Sequence, residues 1–138
     1  MYSIKSLLAL PFALRVSKKV SKWAKKPIET QEKVFRNLIS SATKTTFGQD
    51  HDFISINSYE DFKKRVPVRD YEALKPYVNR VVSGEANVLW EGKPIYFAKT
   101  SGTTSGVKYI PITKVSMPTH IEAARNAILL YIAETRKT

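Results

Sequence analysis

The chain has 138 residues, a formal net charge of +11, 43% apolar residues, no cysteine and two histidines. That is the length and apolar content of one ordinary domain. Without cysteine there is no disulfide framework, thiolate metal site or cysteine nucleophile, and the two imidazoles, His51 and His120, are too far apart in sequence to form a ligand-spaced cluster. No apolar run approaches the ~20 residues needed to cross a bilayer.

The charge is unevenly placed. Residues 1–28 hold seven basic residues (Lys5, Arg15, Lys18, Lys19, Lys22, Lys25 and Lys26) and no acid, whereas from Glu29 onward 16 basic residues face 12 acidic ones. The excess therefore belongs to an N-terminal arm. It lacks an aromatic platform, a zinc pattern or a recognition helix, so nucleic-acid binding is not expected. A signal peptide is not expected either, because the charges follow "LLALPFAL" instead of preceding it. Residues 3–24 read as an amphipathic helix with Ile4, Leu7, Leu8, Leu14 and Trp23 inward, kinked or interrupted by Pro11.

A second helix starts near Pro27, a favoured first-turn residue, with Glu29 and Glu32 near its positive end. Val34, Phe35, Leu38, Ile39 and Ala42 form its apolar face and Gly48 its stop. "GQDHDFISIN" reads as a loop; His51 between two aspartates is a poor metal trio, since adjacent residues rarely converge on one ion. Ser58 and Asp61 form a capping-box-like start to a short helix, Tyr59 to Arg65, ended by Pro67. "FKKRVPVRD" reads as a solvated helix end. Asp70 caps "YEALKPYVNRVV", with Pro76 shifting its effective start, and Ser83-Gly84 ends it. Trp23 and Trp90 read as packing residues.

The period then changes. "IYFAKT" (Ile95 to Thr100) and "VKYIPIT" (Val107 to Thr113) read as strands flanking a glycine loop, and Met117 to Arg136 as a helix with Ile121, Ala124, Ile128, Leu129 and Ile132 on its apolar face. In Thr100-Ser101-Gly102-Thr103-Thr104-Ser105-Gly106 the glycines permit positive φ, so that successive amides can converge on one anion. Five hydroxyls add donors, and Lys108, or Lys99, adds charge. The loop fails the Walker pattern: three residues separate its glycines, a residue intervenes before Lys108, and a strand follows. The bland alternative is a hydroxyl-rich hairpin turn.

"YFAKTSGTTSGVKYIPIT" resembles the phosphate-binding motif of the adenylate-forming superfamily, T-S-G-T-T-G-x-P-K between two strands. The extra Ser105 and the absent proline before Lys108 depart from acyl-CoA synthetases. They resemble the auxin-responsive-promoter (Gretchen Hagen three) family of acyl-acid amido synthetases, especially its bacterial members. "QEKVFRNLISSATKTTFGQDHDF", "YEDFKKRVPVRDYEALKPYVNRVVSGEANVLW" and "MPTHIEAARNAILLYIAET" carry the resemblance across nearly the whole chain.

The resemblance implies an α/β fold, with the chain as the N-terminal fragment of an adenylate-forming large domain. That fragment would be mostly helical with a strand–phosphate loop–strand hairpin: residues 1–26 a basic amphipathic helix, 27–90 helical, 94–113 the hairpin and 117–136 a helix. It implies a two-step reaction in which ATP adenylates a carboxylic acid and an amine or amino acid displaces AMP to form an amide. Thr100, Ser101, Gly102, Thr103, Thr104, Ser105, Gly106 and Lys108 would hold the ATP phosphates, with no catalytic nucleophile and no metal ligand in this stretch. The adenine, ribose and Mg2+ sites and the mobile C-terminal domain of the family lie after this motif, so a partial homologue dependent on that C-terminal part is expected, and whether the chain alone is an enzyme stays open. The absence of cysteine fits a reducing compartment, and a cytoplasmic location is expected. The rivals are a non-catalytic anion or nucleotide binder, and a basic membrane-surface or nucleic-acid protein using residues 1–28.

Overall fold

A computed structural model describes residues 4–100 and 106–137, with side chains from residue 8 onward. Within it the order is α1 (Ile4–Ala24), α2 (Pro27–Ala42), α3 (Thr46–Asp50), a single 3-10 turn at Phe53–Ser55, α4 (Tyr59–Arg65), α5 (Tyr71–Val82), β1 (Pro94–Thr100), β2 (Lys108–Thr113) and α6 (Met117–Thr135). The described chain is thus mostly helical with a two-stranded antiparallel sheet. It divides into two compact units: Met1–Lys33 with Val115–Thr138, and Val34–Lys114.

In the first unit α1 packs along α6. The Lys19 ammonium, late in α1, meets the Glu122 carboxylate, early in α6, at 2.8 Å, so the two helices run antiparallel. Small residues make the contact possible: Ala13 is fully buried, flanked by half-buried Ala9, Leu10, Val16, Ser17 and Val20. From α6 come buried Ile132 and half-buried Glu122, Asn126, Leu129, Leu130 and Ala133.

This corrects the expected faces. Leu8, Leu14 and Trp23 on α1 and Ile121 and Ile128 on α6 are exposed, as is Ala124. Both helices carry apolar residues around much of their circumference; α1 packs through the side that holds Ala9, Ala13 and Ser17, whereas α6 packs through Leu129, Leu130 and Ile132 and leaves Ala123, Ala124 and Ala127 exposed. Pro11 stands inside α1 on its exposed side without ending it. At the α1–α2 corner the Trp23 carbonyl accepts from the Lys26 amide (3.0 Å) and the Thr30 hydroxyl (3.3 Å).

The second unit is built around Ile39, Ala42, Phe53 and Ile56, with Phe35, Phe47, Phe62 and Val66 against them. Each of the Ile, Val and Phe side chains contributes roughly 1.5–3 kcal/mol when fully buried. Helix α2 ends at Ala42, six residues before the glycine expected to stop it. Thr45 causes the break: its hydroxyl donates to the Ala42 carbonyl (2.7 Å) and accepts from the Gly48 amide (3.0 Å), ending one helix and capping the next. Gly48 serves a close approach, because a Cβ there would lie 2.0 Å from the Ala42 oxygen. The expected loop around it is instead α3 and the 3-10 turn, and it supplies Phe53 and Ile56 to the core. The open amides of Thr46 and Phe47 are met by the carbonyls of Asn87 and Val88 (2.8 and 2.9 Å).

The two local caps stand where the sequence places them. Ser58 Oγ accepts from the Asp61 amide (3.1 Å) and donates to the Asp61 carboxylate (2.8 Å), which holds that carboxyl below its usual range. The Asp70 carboxylate accepts from the Ala73 amide (2.9 Å). Helix α5 runs through the exposed Pro76 instead of starting at it. It ends at Val82, capped by Ser83 and followed by Gly84 with φ of 90°.

Candidate functional site

The strands pair from Pro94 opposite Thr113 to Thr100 opposite Lys108, with a register shift between Pro94 and Tyr96. The glycine-rich segment thus joins two strand ends that lie side by side. Of the eight predicted phosphate-binding residues, the structure places Thr100, Gly106 and Lys108; Ser101, Gly102, Thr103, Thr104 and Ser105 lie outside the described residues. Gly106 has φ of 76°, a left-handed conformation, and a Cβ there would meet nothing within 4 Å. Glycine is needed at this point for its backbone freedom.

Residues opposite one another in an antiparallel pair share a face, and successive residues alternate. Thr100 and Lys108 are therefore on one face, whereas Lys99, opposite Tyr109, is on the other. The geometry separates the two candidate lysines and leaves Lys108 on the Thr100 side. Lys108 is half-buried, with its ammonium 5.5 Å from the centre of the Tyr71 ring, a cation–π arrangement. The Tyr71 hydroxyl accepts from the Tyr109 amide at 2.9 Å. One side chain in the first turn of α5 thus contacts two successive residues of β2. Sequence reading treats Tyr71 as an ordinary helix residue, because nothing in its local spacing signals a partner 38 positions away.

The other titratable groups in this unit have structural settings. His51 is buried, its Nδ1 is 2.7 Å from the Phe47 carbonyl oxygen, and its ring stacks on Phe47 at 4.1 Å. The Tyr77 hydroxyl donates to the Asp50 carboxylate (2.8 Å), and burial together with that bond raises its pKa. Arg69 departs from the expected solvated helix end; it is half-buried, with its guanidinium over the Phe47 ring at 5.7 Å. Among the described residues no three His, Cys, Asp or Glu side chains form a group that could hold a metal ion. No described helix is long and apolar enough to cross a membrane.

Residues 16–137 match the GH3 family N-terminal domain. The chain belongs to the GH3 family. The indole-3-acetic acid-amido synthetase GH3.2 of Arabidopsis thaliana is 29% identical over 119 residues, 86% of this chain and 21% of that protein. The 4-substituted benzoates-glutamate ligase GH3.12 of the same plant is 37% identical over 79 residues, covering 56% of this chain and 14% of the relative. A probable indole-3-acetic acid-amido synthetase, GH3.13 of Oryza sativa subsp. japonica, is 46% identical over 55 residues, 38% of this chain and 12% of its own length. The matched segments thus span about a fifth or less of these GH3 relatives, which join acids to amino groups according to their names.

Proposed function

We propose that this chain supplies the ATP phosphate loop of an ATP-dependent acyl-acid amido synthetase. In that reaction a carboxylic acid is adenylated and an amine or amino acid then takes the acyl group. The observation that carries the reading is the hairpin: Thr100 and Lys108 stand on one face at the two ends of a loop rich in hydroxyls and glycine, within a chain of the GH3 family. The residues fit a polyphosphate. Gly106 has the left-handed backbone that lets neighbouring amides converge, and Lys108 offers a positive charge.

In this reading Thr100, Ser101, Gly102, Thr103, Thr104, Ser105 and Gly106 wrap phosphate oxygens by amide and hydroxyl donors, and Lys108 neutralises phosphate charge. Such groups act by positioning and charge stabilisation, so no nucleophilic side chain is needed. Mg2+ would accompany the nucleotide and offset its charge; no residue of this chain is assigned to it. Residues 1–138 correspond to the N-terminal region of one larger adenylate-forming domain, consistent with the share of the relatives they match. The branch is the bacterial one, on the sequence pattern of Ser105 and the missing proline, and the location is cytoplasmic.

The test is carboxylate-dependent pyrophosphate release from ATP by a protein of the relatives' length containing this chain. Release that depends on a carboxylic acid supports the reading. ATP turnover without a carboxylate, or none with a broad panel of acids, overturns it.

A further inference from the structure

The strongest unexplained feature is the outward face of α1, and it is independent of the phosphate loop. At about 3.6 residues per turn, burial of Ala13 against α6 turns Leu8, Phe12, Arg15 and Lys22 outward, with the exposed Lys18 and Lys25 on the flank of that face, whereas Lys19 reaches across to Glu122 of α6. Leu8 is 70% exposed, Phe12 63% and Trp23 50%. The face is divided along its axis: apolar at its N-terminal half, cationic from Arg15 to Lys26. Lys19 and Lys26 pair with Glu122 and Glu29, whereas Lys18, Lys22 and Lys25 meet no carboxylate among the described residues. At the α1–α2 corner six lysines, Trp23 and Glu29 line an open groove of about 800 Å³.

We infer that this face docks on an anionic phospholipid surface, with Leu8 and Phe12 entering the acyl boundary and Lys18, Lys22 and Lys25 among the headgroup phosphates. Two observations select that occupant. The unpaired cations call for an anionic partner, and the apolar residues beside them call for one that also removes carbon from water. A nucleic-acid duplex meets only the first demand. Trp23 lies in the cationic half, where an amphipathic ring suits the interface.

The experiment is flotation of the full chain with vesicles of equal parts phosphatidylcholine and phosphatidylglycerol, set against phosphatidylcholine alone. The expected result is binding to the anionic vesicles only. The triple change Lys18→Gln, Lys22→Gln, Lys25→Gln should weaken it about a hundredfold, as about fivefold per lysine implies. Leu8→Ser with Phe12→Ser should weaken it about tenfold or more, with far-UV circular dichroism unchanged. Should that pair disturb the helix, Trp23 emission in a Trp90→Phe protein gives a second reading, a blue shift on anionic vesicles alone. Absence of binding, equal binding to both vesicles, no Trp23 shift, or tighter binding to duplex DNA that ignores Leu8 and Phe12 would overturn the inference.

Discussion

The Lys108 ammonium lies over the Tyr71 ring, and the same Tyr71 accepts a hydrogen bond from the amide next to Lys108. A long lysine placed against an aromatic face samples fewer rotamers, so less freedom is lost when it meets a phosphate. In a protein of the relatives' length, Tyr71→Leu should raise the Kd for ATP about five- to tenfold, in line with about 1 kcal/mol for such a contact. Tyr71→Phe keeps the ring and should change it about threefold at most. Titration calorimetry with both variants checks this; equal affinities for the Tyr71→Leu protein and the parent would show that the contact is incidental.

The loop itself should matter more. Ser101→Ala combined with Lys108→Ala in such a longer protein should slow adenylate formation by about two to three orders of magnitude, the usual loss when donors to developing charge are removed. The 138-residue chain alone should show no carboxylate-dependent pyrophosphate release, because phosphate contacts must offset roughly 4–15 kcal/mol of lost translational and rotational freedom. Turnover by the short chain, or an unaffected double variant, would mean that the loop has another task.

Thr45 and Gly48 hold the junction between α2 and α3. Thr45→Ala removes a buried cap and should cost about 1–2 kcal/mol. Gly48→Ala forces a Cβ onto the Ala42 carbonyl and should cost about 2–4 kcal/mol. Urea unfolding followed by circular dichroism measures both. A Gly48→Ala protein as stable as the parent would contradict the close approach described here.

Tyr77 gives a pH dependence. Burial, then the hydrogen bond to Asp50, raises its pKa above the ordinary value. The folded state therefore holds this proton to higher pH than the unfolded chain does. The contribution is complete below the unfolded pKa and is lost as pH rises through the folded one. Stability measured from neutral pH into the alkaline range should fall more steeply for the parent than for Tyr77→Phe. Parallel curves would refute the assignment.

Legibility follows the range of the interaction. Ser58 with Asp61, and Asp70 with Ala73, are caps completed within three residues, so sequence alone places them. The change from helical to alternating period locates both strands. Gly48 and Tyr71 escape such a reading because their partners, Ala42 and the β2 residues, depend on how elements meet. The faces of α1 and α6 mislead for a related reason. Apolar residues all round a helix do not say which side packs, and Ala13 decides it only once α6 lies against it.

The pairing of α1 with α6 also has a consequence in time. About 90 residues separate the end of α1 from the start of α6, and the second unit is encoded entirely between them. At roughly 5–20 residues per second of synthesis, α1 leaves the ribosome about 5–18 s before its partner exists. The second unit is contiguous in sequence and has its own core, so it can close during that interval. The Ala13 side of α1 meanwhile stays uncovered, a surface on which a holding chaperone could act during synthesis and from which α6 would later displace it.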